Sequence, residues 1–168
     1  MPTPAYMTIE GTQQGLLTKG ALSEASVGNT WQQGHEDQIL VQQISHAITV
    51  PGGVQTGQRM HKPVIITKTL DKSSPLINTA LSNGEPLKTC RIEFFRYSGR
   101  GGQELFYTIE LKNALIIGVD LLLPHCQDLS TAHFTQLERV HFAYETITWR
   151  HEIAGTSGYD EWSGDSQL

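Results

Sequence analysis

The sequence is short of charge. Asp, Glu, Lys and Arg make up 17% of its 168 residues, against about 25% in an ordinary soluble chain. Seventeen acidic residues outnumber twelve basic ones, for a net charge of -5. That balance excludes nucleic acid as the main ligand, because phosphate binding needs a concentrated basic face. Cysteine is scarce as well, with Cys90 and Cys126 alone. Met1–Gly11 has neither the basic nor the apolar region of a secretory leader, and the first basic side chain is Lys19. Reduced thiols and folding in the cytosol are the expectation. Long apolar runs are missing: the longest, Ala114–Leu123, has ten residues and includes Asp120, whereas a membrane helix needs about 20. No GxSxG, P-loop, dinucleotide fingerprint or HExxH pattern occurs, so no catalytic, metal or cofactor site is assigned.

Seventeen Thr, thirteen Gln and sixteen Gly fill the gap left by charge. Thr favours strands, and a polar but uncharged surface costs less to desolvate than a charged one. The composition points to a β protein that associates. Alternation with period 2 supports this. From Leu105 the odd positions run Leu105, Tyr107, Ile109, Leu111, Leu115, Ile117, Val119, Leu121 and Leu123, which predicts one core face. Nineteen residues are long for one strand, so a bend or break is expected at Asn113 or Gly118. Leu40, Ile44, Ile48 and Val50 share a parity, as do Cys90, Ile92 and Phe94. In Phe134–Trp149 the apolar parity shifts by one residue, which predicts a bulge near Glu145. Ala5–Glu10, Ala21–Val27 and Val64–Leu70 complete a set of seven to eight strands. One short helix is expected, with Ser74 as N-cap, Pro75 in the first turn and Asn83-Gly84 as its stop. Ser98–Gly102 reads as a hairpin turn, and the segment from Ala154 as a tail without periodicity.

Side chains with chemical potential have plain structural readings. His35-Glu36-Asp37 are adjacent residues, which seldom converge on one metal ion. His125-Cys126, with Asp128 and His133 nearby, lacks the setting of a cysteine nucleophile. Cys90 fits a core position, and His46 and His141 fit hydrogen-bonded structural roles. Arg91, Arg96 and Arg100 beside Phe95 and Tyr97 would make a base-stacking platform, but a polar sheet face explains them in an acidic chain. The loop Pro51, Gly52, Gly53, Val54, Gln55, Thr56, Gly57, Gln58 and Arg59 carries one charge. Such a segment is either mobile or held by something outside its own domain.

Several segments occur together in a distinctive order: MPTPAYMTIEG at the start, GHEDQILVQ at Gly34–Gln42, TGQRMHKP at Thr56–Pro63 and LPHCQD at Leu123–Asp128. FTQL at Phe134–Leu137, the AY…W segment at Ala143–Trp149 and AGTSGYDEW at Ala154–Trp162 continue it. From Met1 to Trp162 the chain resembles the haemolysin-coregulated protein family, in its enterobacterial and vibrio branch. The resemblance implies a two-sheet β-barrel with one helix, associating as hexameric rings that stack into the inner tube of the type VI secretion system. It implies assembly in the bacterial cytoplasm and secretion without a signal peptide. The implied partners are further copies of the chain, a valine-glycine-repeat spike protein, the contractile sheath and baseplate, and small effectors shielded in the lumen. Residues 1–162 are expected as one tube domain, and 163–168 as a tail with no toxin extension. Pro51–Arg59 corresponds to the family's extended loop, which reaches adjoining subunits within the ring and toward the next one. A monomeric β-barrel acting as a binding or adaptor module is the alternative; membrane insertion is not expected.

Overall fold

In chain order the strands and helices are β1 (Ala5–Gly11), β2 (Gly15–Leu16), α1 (Glu24–Val27), β3 (Ile39–Val41), β4 (Gln43–Ser45), β5 (Ile48–Thr49), β6 (Met60–His61), β7 (Val64–Thr69), α2 (Ser74–Asn83), β8 (Leu87–Tyr97), β9 (Gln103–Lys112), β10 (Leu115–Leu122), β11 (Leu137–Ala143), β12 (Thr146–His151) and β13 (Thr156–Glu161). The structure, a computed structural model, describes residues 2–52 and 58–162. The large sheet has the order β13-β12-β9-β8-β1-β2, with β3 also paired to β1; the small sheet runs β10-β11-β7-β4; β5 and β6 form a separate ribbon.

Three corners carry the chain from one sheet to the other. Between β9 and β10 the turn is made at Asn113 (φ 49°), the one non-glycine residue with positive φ among the described residues. Asn tolerates this left-handed conformation better than bulkier side chains. Between β11 and β12 it is made at Tyr144-Glu145, where a bulge was expected; the parity shift there marks a change of sheet. The two corners are fastened together, Glu145 N–H donating to Lys112 O at 3.1 Å and the Asn113 amide donating to the Glu145 carboxylate. The third lies at Gln42, whose N–H reaches Thr67 O at 2.9 Å, so the expected strand through 40–50 is broken into β3, β4 and β5.

The core lies between the layers. Met7, Ile9, Ile92, Leu111 and Ile147 of the large sheet face Ile66, Ile116, Val140 and Phe142 of the small one, and Ile77 and Ala80 of α2 close one side. Among the described residues a single bridge, Leu87 to Ala114, joins β-structure across the sheets' edges. The sheets are therefore two open layers and not the closed barrel expected. The corner at Asn113 also reverses facing: Ile116 enters the core while Leu115, Ile117 and Leu121 are exposed, the opposite of the parity extrapolated from β9. A register shift between Ile116 and Gly118 adds a bulge in β10.

Among the described residues two short α-helices replace the single one expected. Ala21–Val27, expected as a strand, is a turn leading into α1; Ala21 and Leu22 are buried as loop residues, so their apolar character reflects packing and not pairing. α2 starts as expected but its cap position is Ser73, without a side-chain bond. The Ser74 hydroxyl instead accepts from Asp71 N–H and from the buried Lys68 ammonium, each at 3.0 Å. Lys68 is paired with Glu138 and Asp71, which compensates the cost of burying its charge. Gly84 ends α2 in the left-handed region. Near β2, a Cβ on Gly11 would lie 2.8 Å from the Glu85 carboxylate. That carboxylate accepts from Gln13 and Gln14 N–H, each at 2.6 Å, and from the Gln14 amide. Burial would raise its pKa, but these bonds outweigh burial and hold it below the usual value.

The hairpin turn at Ser98–Gly102 forms as expected, with Ser98 N–H donating to Gly102 O. The segment from Ala154, expected as an unpaired tail, turns at Gly155 (φ 76°) and returns as β13 along β12. Residues of β13 are exposed on both faces apart from Asp160, so backbone pairing holds it and no apolar alternation marks it.

Candidate functional site

The loop predicted to make contacts leaves the domain on the β5–β6 ribbon, where Ile48 faces His61 and Thr49 faces Met60. Pro51 and Gly52 form an exposed turn, and Gln58 and Arg59 bring the chain back. Gly53, Val54, Gln55, Thr56 and Gly57 lie outside the described residues. Arg59 is anchored: its Nε donates to Asp160 Oδ2 at 2.6 Å and its Nη2 to Glu161 O at 3.3 Å. The base of the loop is thus fastened to β13.

Behind Arg59 lies a chain of polar side chains. His61 Nε2 is 2.7 Å from Asp160 Oδ2, and His61 Nδ1 is 2.8 Å from the Tyr144 hydroxyl. His46 Nε2 is 2.7 Å from that same hydroxyl. The carboxylate can only accept, so His61 Nε2 carries a proton and donates. In neutral His61, Nδ1 is then an acceptor, Tyr144 O–H donates to it, and the tyrosine oxygen accepts from His46 Nε2–H. With His61 in that form the direction of each link follows from Asp160; the Tyr144 hydroxyl also lies 3.5 Å from Lys62 O. Trp162 stacks over His61 with ring centres 6.0 Å apart and meets Tyr144 edge-on at 4.8 Å.

The electrostatics follow from these contacts. Burial favours an uncharged Asp160, but the bonds from Arg59, His61 and the Glu161 N–H, with the Arg59 charge, hold its pKa down at about 2. Burial, then the neighbouring His61, lowers the pKa of His46. Burial, then the Asp160 charge, raises that of Tyr144. Both His61 nitrogens are committed and its side chain is fully buried. The cluster is a lock and not a reaction centre.

The second feature is the edge of the small sheet. Among the described residues β10 has no strand partner on its outer side, although α2 packs against it. Exposed around it are Ile117, Leu121, Leu122, Leu123, Leu129 and Phe134, with Leu121 at 68% and Leu129 at 89%. An apolar edge strand is an aggregation liability unless a partner covers it.

Other sequence candidates are dispersed. His35 stacks on Tyr6 at 3.7 Å and bonds Gln38; Glu36 accepts from Gly34 N–H and Asp37 from Gly20 N–H. Among the described residues no group of three or more His, Cys, Asp or Glu could hold a metal ion. His125 Nδ1 accepts from Gln127 N–H within a local turn, and Cys126 is exposed. Cys90 is buried and unbridged, and burial raises its thiol pKa. His141 pairs with Asp120 at 2.9 Å. Arg96 pairs with Glu104 and lies over the Phe106 ring; Arg91 Nη2 is 4.0 Å from Glu93, and Arg100 is exposed in the hairpin turn. Among the described residues no helix is long and apolar enough to cross a membrane.

Sequence reasoning located the loop and missed its lock. His61, Tyr144, Asp160 and Trp162 come from distant parts of the chain; the available signal was that two histidines, His46 and His61, flank the Gly-rich loop.

Comparison with known proteins agrees with this architecture. The family profile described as "Type VI secretion system effector, Hcp" matches residues 6–151. The "Major exported protein" of Pseudomonas aeruginosa is 53% identical over 166 residues, covering 96% of each chain. A crystal structure of an Hcp protein superposes with a TM-score of 0.88 at 44% identity, covering 95% of this chain and 97% of that one. The "Secreted protein Hcp3" from Pseudomonas aeruginosa superposes with a TM-score of 0.83 at 49% identity, covering 95% and 98%.

Proposed function

The chain belongs to the Hcp family, a structural tube protein of type VI secretion and not an enzyme, and from that premise we propose that it works as a hexameric ring whose copies stack through the Pro51–Arg59 loop. The observation that carries the assembly reading is the apolar outer edge of β10. A ring needs a heterologous contact, one patch against a different patch on the next copy. An edge strand with exposed Leu and Ile side chains supplies one side of it. The locked foot at Arg59 and Asp160 supports a second role for the loop. Holding the Arg59 end of a Gly-rich segment reduces the entropy lost when a neighbour fixes its tip.

In this reading residues 1–162 act as one tube domain. Rings assemble in the cytoplasm within the contractile sheath, on the baseplate, and are exported behind a valine-glycine-repeat spike with small effectors in the lumen. A monomeric adaptor is disfavoured by the exposed β10 edge. Light scattering at micromolar concentration tests the ring: a mass about six times 18.6 kDa is expected, and a monomer mass overturns it.

A further inference from the structure

The foot of the loop has little room for protons. Around His46 and His61 stand Tyr144 and Glu145 at the corner between β11 and β12, Arg59 and Lys62 on either side of β6, Asp160 and Glu161 of β13, and Trp162 just beyond it. Two of the three carboxylates are engaged elsewhere: Glu145 accepts from the Asn113 amide, and Glu161 from the Tyr159 hydroxyl at 2.7 Å. Lys62 is exposed and turns only its carbonyl toward Tyr144. Among the described residues Asp160 alone pairs with one of these histidines, and the same oxygen also accepts from Arg59. The charges of Arg59 and Asp160 cancel, so any proton added to an imidazole leaves the foot positive.

One extra proton has a place. If His61 takes it, Nδ1–H donates to the Tyr144 oxygen and the tyrosine O–H turns to His46 Nε2. The His46 proton then sits on Nδ1, which has no bonding partner among the described residues. Each link survives with its direction reversed. A second proton has no such place. His46 then carries a proton on both nitrogens, and one tyrosine oxygen stands between two imidazolium N–H donors. Its own hydrogen is left facing Lys62 O at 3.5 Å, beyond the range of an O–H···O bond. The two cations repel, and the full burial of the His61 side chain withholds the water that would screen them. Asp160 stays ionised in mild acid, because despite burial the bonds from Arg59 and His61 hold its pKa at about 2. The acid event at the foot is therefore the second proton and not loss of the carboxylate.

We propose that mild acid opens this foot: the second proton on the His46–Tyr144–His61 relay parts the two histidines, frees Trp162 and the end of β13, and leaves the loop without a fixed base. In the opened foot both imidazoles meet water and take protons at their ordinary 6.5. Between pH 7.5 and 5.0 this favours opening by about thirtyfold for each proton that the closed foot refuses. The consequence for assembly rests on the reading of the loop given above: filaments stacked at neutral pH come apart when acidified.

Hydrogen exchange of the full-length protein, followed by mass spectrometry with labelling times scaled to the intrinsic rate at each pH, tests the foot directly. Its reporters are the Lys62 N–H, bonded to Ala47 O at 3.0 Å, and the Trp162 N–H, bonded to Glu145 O at 2.8 Å. Both should lose at least tenfold in protection between pH 7.5 and 5.0, with the loss beginning near pH 6.5, while amides of β8 and β9 keep theirs. His46→Gln offers Tyr144 a donor or an acceptor but takes no proton, and should hold the loss under twofold. Equal protection at the two pH values, equal loss in β8 and β9, or a His46→Gln protein as acid-sensitive as the wild type overturns the proposal. Should that variant loosen the foot at pH 7.5, the wild-type profile decides: a loss that begins only below about pH 4, where carboxylates titrate, also overturns it. Electron micrographs of the same samples keep the two readings apart. Stacks that persist at pH 5.0 on an opened foot overturn the part given to the loop in stacking and leave the acid switch standing.

Discussion

Replacing Tyr144 by Phe removes one oxygen from the centre of the loop's foot and leaves its ring contacts in place. The hydroxyl bonds His46 at 2.7 Å and His61 at 2.8 Å; the ring keeps its edge-on contact with Trp162, so no cavity opens. Each lost hydrogen bond removes about 1 kcal/mol. His46 is only half buried and can recover its bond with water. His61 cannot, because its side chain is fully buried, and an orphaned buried acceptor costs about 1–3 kcal/mol. The expected loss is about 2–3 kcal/mol, or about 4–10 °C in thermal midpoint for a domain of this size. Urea unfolding at fixed protein concentration reads it as a lower midpoint with an unchanged slope. Tyr159→Phe is the matched control: its hydroxyl bonds Glu161 on an exposed strand and should cost under about 0.5 kcal/mol. A Tyr144→Phe loss no larger than that of the control refutes the relay. The pH dependence has a defined sign. Because the folded state holds the pKa of His46 below its ordinary 6.5, it resists a proton that the unfolded chain accepts. This contribution is complete above about pH 7 and is lost as pH falls below 6.5 toward the folded value.

Asp160→Asn should weaken the foot at neutral pH and abolish one acid transition. Its folded pKa of about 2 against 3.8 corresponds to about 2 kcal/mol, reduced by screening at this partly exposed site to about 1; that stability is present above 3.8 and lost as pH falls through about 2, as acid titration of unfolding would record. Leu121→Asp should convert rings to monomers in light scattering while changing monomer stability by under about 0.5 kcal/mol, because the side chain is 68% exposed; an unchanged ring mass would place the interface elsewhere. Shortening the loop between Pro51 and Arg59 to a tight turn, or changing Val54 and Gln55 to Asp, should abolish ring stacking and secretion but not folding, and normal tubes in electron micrographs would make the loop a bystander.

Legibility in the sequence followed how local each feature is. Alternation revealed β8 and β9, where Cys90 and Ile92, and Ile109 and Leu111, share a core face. α2 was readable from Pro75 and Gly84, since helix punctuation lies within the helix's own residues. β13 was hidden because both its faces meet water, and Ala21–Leu22 misled because a buried loop is as apolar as a strand. The reversed facing of β10 depends on the left-handed turn at one residue, Asn113, which alternation alone does not reveal. The loop was visible as a Gly-rich segment with one charge. Its lock was not, because Arg59 meets Asp160 across 101 positions and His46 meets Tyr144 across 98, and no local pattern encodes a meeting at that distance.

That separation has a consequence for timing. A chain leaves the ribosome from its N-terminus, at roughly 5–20 residues per second. The stretch Pro51–Arg59 therefore emerges well before Asp160 and Trp162. Until β13 pairs with β12, Arg59 has no carboxylate to grip and His61 has no partner for Nε2. A nascent chain can expose the segment but cannot hold its base. Arg59 and His61 are made about a hundred residues before Asp160, so the base of the loop cannot be held until β13 has been synthesised and has paired with β12.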